Sequence, residues 1–128
     1  MKTRKRLVGD LGESIACKYL EGKGYTIVGR NYWKPNGEID IIAEKDENLI
    51  FIEVKTIRVT GAVTHETQDL YSAEDNLHEK KLARLAKVIR TYIREKRFMG
   101  NWVFGAIFVE LNERRSKVKV RFIEDIVL

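Results

Sequence analysis

Several common kinds of site lack their raw material in this chain. A single cysteine, Cys17, in 128 residues excludes an intrachain disulfide. With His65 and His78 the only histidines, a Cys/His zinc site lacks ligands, and any metal falls to carboxylates. Pro35 is the only proline, and no Pro- or Ser-rich linker, repeat or low-complexity tract divides the chain, so residues 1–128 read as one domain. Long apolar runs are missing too: the longest, Val103 to Val109, has seven residues, whereas a membrane-spanning helix needs about 20. Behind the basic Lys2, Arg4, Lys5 and Arg6, a signal peptide would continue with an apolar stretch. Gly9, Asp10, Gly12 and Glu13 interrupt it, so the expected location is the cytoplasm, with no membrane partner.

What is present suffices for a folded core. Hydrophobic residues make up 44% of the chain, too many for a disordered polymer, and charged residues 34%, above the usual level of about 25%. The net charge of +5 is unevenly divided. Residues 1–35 carry 8 basic and 3 acidic side chains, residues 36–75 carry 3 and 10, and residues 76–128 carry 13 and 6. Basic arms suit a polyanion through phosphate contacts and counterion release, while an acidic centre repels that partner unless cations occupy it. Ordinary solvated surface charge is the competing reading.

Apolar residues recur at helical spacing from Leu7 to Gly22 (Val8, Leu11, Ile15, Tyr19, Leu20), and Gly22 and Gly24 stop that helix. Residues 25–32 read as a strand closed by Pro35, Asn36 and Gly37. Glu38–Glu44 and Leu49–Thr56 form a hairpin around a four-residue connection, Lys45 to Asn48. Residues 57–71 have no period and read as a long loop. A second helix follows, capped by Ser72 with Asp75 three residues on, and runs to about Arg97. Its apolar stripe is Leu82, Leu85, Ile89, Tyr92 and Ile93, and basic residues including Lys81 and Arg84 fill much of the remaining surface. Trp102–Leu111 and Lys117–Ile123 close the chain as strands, giving an α/β order of αβββαββ.

If that connection sets the hairpin register, Glu44 faces Leu49, Ile42 faces Phe51, Asp40 faces Glu53 and Glu38 faces Lys55. Glu38, Asp40, Glu53 and Lys55 then share one face, and Ile39, Ile41, Ala43, Ile50, Ile52 and Val54 form an apolar surface on the other. Two carboxylates about 5 Å apart repel, which shifts a pKa or attracts a cation, and an all-oxygen site suits Mg²⁺ or Mn²⁺. Lys55, on the same strand face as Glu53, can help deprotonate a water or stabilise charge on a phosphoryl group. Such an arrangement suits metal-assisted phosphodiester hydrolysis. The competing reading is a surface ion pair, Glu38–Lys55, beside two solvent-facing carboxylates.

Gly12-Glu13, Gly37-Glu38-Ile39-Asp40-Ile41-Ile42-Ala43 and Phe51-Ile52-Glu53-Val54-Lys55-Thr56, followed by Lys81 ahead of Leu85 and Tyr92, resemble the YraN-like family of bacterial proteins. That family is similar in turn to the PD-(D/E)-x-K nucleases, including archaeal Holliday-junction resolvases. The resemblance implies a restriction-endonuclease-like fold, with a mixed central sheet flanked by helices, and an Mg²⁺- or Mn²⁺-dependent endonuclease acting on DNA, with branched or otherwise structured DNA as the expected substrate. It implies Asp40, Glu53 and the Val54 carbonyl as metal ligands, Glu13 as the helix-one carboxylate of the site, and Lys55 as catalytic lysine. A homodimer follows from the same analogy, because a resolvase cuts two symmetric strands. Ile39 stands where the superfamily name has Pro. A DNA-binding module without catalysis, serving recombination, repair or DNA uptake, and a protein-docking adaptor are the alternatives.

Other residues carry weaker signals. Lys81 and Arg84 are the expected phosphate contacts. His65 suits proton shuttling or plain solvent exposure, and His78 is unremarkable in its context. Tyr32 and Trp33, beside Lys34, suit stacking on an unpaired base or packing at a strand end. Cys17 reads as a small buried helix residue.

Overall fold

A computed structural model describes residues 2–59 and 79–128. Thr3 begins the first helix: its side chain accepts a hydrogen bond from the Arg6 amide at 3.2 Å, so α1 (Arg4–Gly22) starts a turn before the apolar stripe does. Gly12, Ala16, Cys17 and Leu20 form its buried line. Leu11, expected in that line, is 52% exposed, because the packed face is centred on the small residues that let the helix approach the sheet. Five strands follow the expected order, β1 (Thr26–Lys34), β2 (Gly37–Lys45), β3 (Asn48–Val59), then, after α2 (Glu79–Lys96), β4 (Trp102–Asn112) and β5 (Lys117–Ile123). The expected cap at Ser72 and Asp75, the loop to residue 71, His65 and His78 lie outside the described residues, apart from residues 57–59, which extend β3.

The strands form one sheet in the order β1-β2-β3-β4-β5. Only β3 and β4 run parallel, and the other neighbours are antiparallel, so the sheet is mixed. A parallel pair needs a crossover connection, and α2 lies within it. On one face Ala16, Cys17 and Leu20 of α1 pack on Ile41, Ala43, Ile50, Ile52, Ile107 and Val109. On the other, Leu85, Val88, Ile89 and Tyr92 of α2 pack on Ile42, Phe51 and Phe104. This α/β arrangement agrees with the restriction-endonuclease-like architecture expected from the sequence.

The hairpin follows its predicted register up to a point. Asp46 and Glu47, with φ of 52° and 67°, make a two-residue turn between the paired Lys45 and Asn48, one pair tighter than the expected four-residue connection. Glu44 pairs with Leu49 and Ile42 with Phe51, as expected. The ladder then ends at Ile41↔Ile52, so the expected backbone pairs Asp40–Glu53 and Glu38–Lys55 do not belong to it. The assignment of faces also changes. Ile39 joins the α2 cluster instead of the Ile41 side, and Ile42 and Phe51 are 1% and 0% exposed, so α2 covers the face that carries the charged residues further along.

Candidate active site

Where the β2–β3 ladder stops, a side chain takes over from the backbone. Asp40 Oδ2 accepts a hydrogen bond from the Val54 amide at 2.7 Å. That contact holds the carboxylate in the opening between the two strands, directly before Lys55. Burial pushes the Asp40 carboxyl up to about 8; the Glu53 charge and, more weakly, Glu13 and Glu38 act in the same direction, against the Val54 amide. The like-charge neighbours expected from sequence are therefore real in space, although they are not opposite one another in the ladder.

Glu53 keeps only 17% of its side-chain surface exposed and meets the Lys81 ammonium of α2 at 2.8 Å. Glu13 comes from α1, with 12% of its side-chain surface exposed and Arg30 Nη2 at 3.7 Å from Oε1. That oxygen is buried and has no hydrogen-bond partner among the described residues. Burial raises the Glu13 carboxyl from its ordinary value, and the Arg30 charge opposes the rise. An unsatisfied buried carboxylate oxygen is costly unless something positive or proton-donating approaches it.

Glu13 reaches this place because α1 lies unusually close to β3. A Cβ built on Gly12 would stand 1.8 Å from Thr56 Oγ1 and 2.8 Å from Thr56 Cβ, so only glycine permits the approach. Glu13, Asp40, Glu53, Val54 and Lys55 consequently line one cavity of about 580 Å³. Arg84 lines an adjoining cavity together with Glu38, Asp40, Glu53 and Lys81. Every candidate site residue thus borders one of two neighbouring hollows.

The structure adds residues that the sequence did not single out. Arg4, Lys5 and Arg58 also line the larger cavity, so its acidic interior has a basic rim. Arg58 is held by Glu113 at 2.6 Å. Lys5, Gly9 and Glu13 stand at i, i+4 and i+8, one helix face, and that spacing would have found Lys5 had the helix been started at Arg4.

The donor set is carboxylate oxygen, suited to Mg²⁺ or Mn²⁺, and Glu13 lines a cavity shared with two further carboxylates. Among the described residues, however, no three His, Cys, Asp or Glu side chains are gathered closely enough to hold a metal ion as they stand. The nearest positive charge to Glu53 is the protein's own Lys81. The residues fit a hard cation chemically, with one oxygen of Glu53 already engaged by the Lys81 ammonium.

Residues 12–122 match the uncharacterised protein family UPF0102. A UPF0102 protein of Syntrophomonas wolfei is 33% identical over 114 residues, covering 88% of this chain and 92% of that one. One from Campylobacter jejuni is 44% identical over 92 residues, covering 72% and 73%, and one from Treponema pallidum is 35% identical over 99 residues, covering 77% and 75%. Among solved structures, Pyrococcus furiosus SfsA in complex with Ca²⁺ aligns with 97% of this chain at 16% identity and a TM-score of 0.37. This chain spans 65% of that one, and the likeness is too remote to carry an argument.

Proposed function

This chain belongs to the uncharacterised protein family UPF0102, and from that premise we propose that it is a metal-dependent endonuclease that hydrolyses phosphodiester bonds in DNA, structured or branched DNA in particular. One observation carries the reading: three carboxylates and a lysine from α1, β2 and β3 line a single cavity whose rim is basic. Acidic groups alone repel a phosphate, and basic groups alone bind it without cutting it. Both together suit a polyanionic substrate and a divalent cation.

Asp40, Glu53, the Val54 carbonyl and Glu13 are the groups that would hold Mg²⁺ or Mn²⁺, which when bound supplies Lewis-acid charge at a phosphoryl oxygen. Val54 has its amide on Asp40, so the chain direction between Glu53 and Lys55 is pinned at the opening. Lys55 lines the same cavity and is exposed, which leaves its ammonium free to orient a water or stabilise charge developing on the phosphate. Arg4, Lys5, Lys81 and Arg84 offer phosphate contacts that position the strand without reading its bases. Symmetric cutting of a branched substrate would call for a homodimer.

A DNA-binding module without hydrolysis draws on one observation of its own: Lys81 already neutralises Glu53. The experiment that separates the two incubates purified protein with linear, single-stranded and four-way-junction DNA, with and without Mn²⁺. Mn²⁺-dependent cleavage by the wild type is expected. Lys55→Ala should abolish it while leaving DNA affinity within about three-fold, since other cations supply most phosphate contacts. Cleavage that survives Lys55→Ala removes the lysine from the chemistry, and binding without any cleavage selects the module.

A further inference from the structure

The free edge of the sheet carries a groove that the proposed chemistry leaves unused. It is about 520 Å³ in volume and is lined by Val28, Arg30, Tyr32, Trp33, Tyr92 and Lys96 among others. Trp33 is 66% exposed and Val28 46%, on the outermost strand. Two of the tyrosines on the groove are packed firmly: Tyr32 meets Tyr92 edge to face at 5.1 Å, and Tyr92 meets Phe51 at 5.5 Å. Lys96 stands 5.9 Å from the centre of the Tyr92 ring. A large exposed indole on a groove that also carries cations calls for an occupant.

An edge strand with exposed apolar residues invites another strand to pair with it. This edge is badly suited to that. The β1–β2 register shifts between Ile27 and Gly29, and Asn31 is left-handed with a φ of 53°, so the backbone does not offer an unbroken row of donors and acceptors. What remains accessible is the side-chain surface, with Arg30 and Lys96 on it. Aromatic faces next to cations are the means by which single-stranded nucleic acids are held without regard to sequence.

The groove lies beside the strand that carries Asp40. Trp33 pairs with Glu38, two residues before Asp40 on β2. One strand spacing and two residues along a strand place the Trp33 backbone about 8 Å from that of Asp40. Arg30 links the two through Glu13: it lines the groove, and its guanidinium lies 3.7 Å from Oε1 of Glu13, which lines the larger cavity.

We propose that this groove takes an unpaired nucleobase of a DNA strand whose phosphates run past Arg30 into the cavity of Asp40, Glu53 and Lys55. The inference rests on the nucleic-acid reading above and adds a substrate feature to it: an unpaired nucleotide stacked on Trp33 beside the phosphate to be cut. Base stacking of this kind is worth about 1–3 kcal/mol per base, or about 5- to 150-fold in affinity.

The chain has two tryptophans, Trp33 and Trp102, so Trp102→Phe leaves Trp33 as the sole reporter. Titration of that variant with oligothymidylate should quench its emission to saturation. In otherwise wild-type protein, Trp33→Ala should weaken oligothymidylate binding about 5- to 150-fold, measured by fluorescence anisotropy, with Trp33→Phe restoring most of it. Affinity for a fully paired duplex should change less than two-fold. Unquenched Trp33 while oligothymidylate binds, or equal losses for duplex and single strand, overturns the groove and leaves the nuclease reading standing. Failure of every DNA to bind overturns both. A dimer in sedimentation that dissociates on Trp33→Ala, with DNA binding unchanged, assigns the surface to a second copy and also overturns the proposal.

Discussion

Replacing Gly12 by alanine tests whether helix approach places Glu13. The new Cβ would lie 1.8 Å from Thr56 Oγ1, 2.9 Å from Cγ2 and 2.8 Å from Cβ. Rotating the Thr56 side chain moves the first two atoms and leaves the third, which is fixed to the strand backbone. The helix must therefore recede from β3 by several tenths of an ångström at least. Overpacking of this kind costs about 1–3 kcal/mol, and the gain in helix propensity from Gly to Ala offsets up to about 1 kcal/mol of it. A contact with an atom that cannot rotate away puts the net loss at about 1–2 kcal/mol, or a Tm lower by about 3–8 °C. Gly9 supplies the control, because a Cβ there meets nothing within 4 Å on the same helix. Gly9→Ala should raise stability by up to about 1 kcal/mol, the opposite sign from one turn away. Thermal unfolding with and without Mn²⁺ reads both effects, and Gly12→Ala should also lose more of the Mn²⁺-induced rise, since Glu13 is the next residue. If Gly12→Ala is as stable as the wild type, the close approach does not depend on this glycine and the argument fails.

Two further predictions concern the carboxylates. With its folded-state pKa raised from 3.8 to about 8, Asp40 keeps a proton that the unfolded chain gives up, so stability contributed by this group falls as pH rises between those values. Asp40→Asn should flatten that fall and be neutral or stabilising in EDTA at pH 8, while losing most of the wild type's Tm gain from Mn²⁺; a variant destabilised in EDTA with an intact Mn²⁺ response would instead show that Asp40 serves structure alone. Lys81→Met frees Glu53 of its ammonium, and because the pair is partly exposed and worth about 0–1 kcal/mol, Mn²⁺ binding by calorimetry should tighten by up to about five-fold while DNA affinity falls. An unchanged or weaker Mn²⁺ affinity would mean that Lys81 does not compete for the site.

Much of this architecture could be read along the chain because local periodicity and turn chemistry are short-range properties. Val118, Val120 and Phe122 alternate with Lys117, Lys119 and Arg121, and Leu85, Ile89 and Tyr92 return every turn, so β5 and α2 followed from spacing alone. The hairpin register followed from its connection, since Glu44↔Leu49 is preserved whether the turn is counted as four residues or two. The candidate set Glu13, Asp40, Glu53 and Lys55 was legible from residue type and resemblance, and the fold brings it to one cavity.

Other features depend on packing between distant segments. Alternation would have continued the β2–β3 ladder to Asp40 and Glu53, but side chains on the chain's own turns cannot report that Asp40 would bond the Val54 amide and end it. Nor does local pattern tell that Ile39 would cross to the α2 side. The helix start was missed because Thr3 caps a turn with no apolar face. The contact of Lys81 with Glu53 joins residues that no local period relates. By itself the sequence determined the kinds of element, their order and the chemical types available for a site. Tertiary structure decided which charges meet, because a charge–charge contact depends on ångström-scale placement that here rests on α1 lying against Thr56, α2 covering Phe51 and the ladder stopping at Ile41.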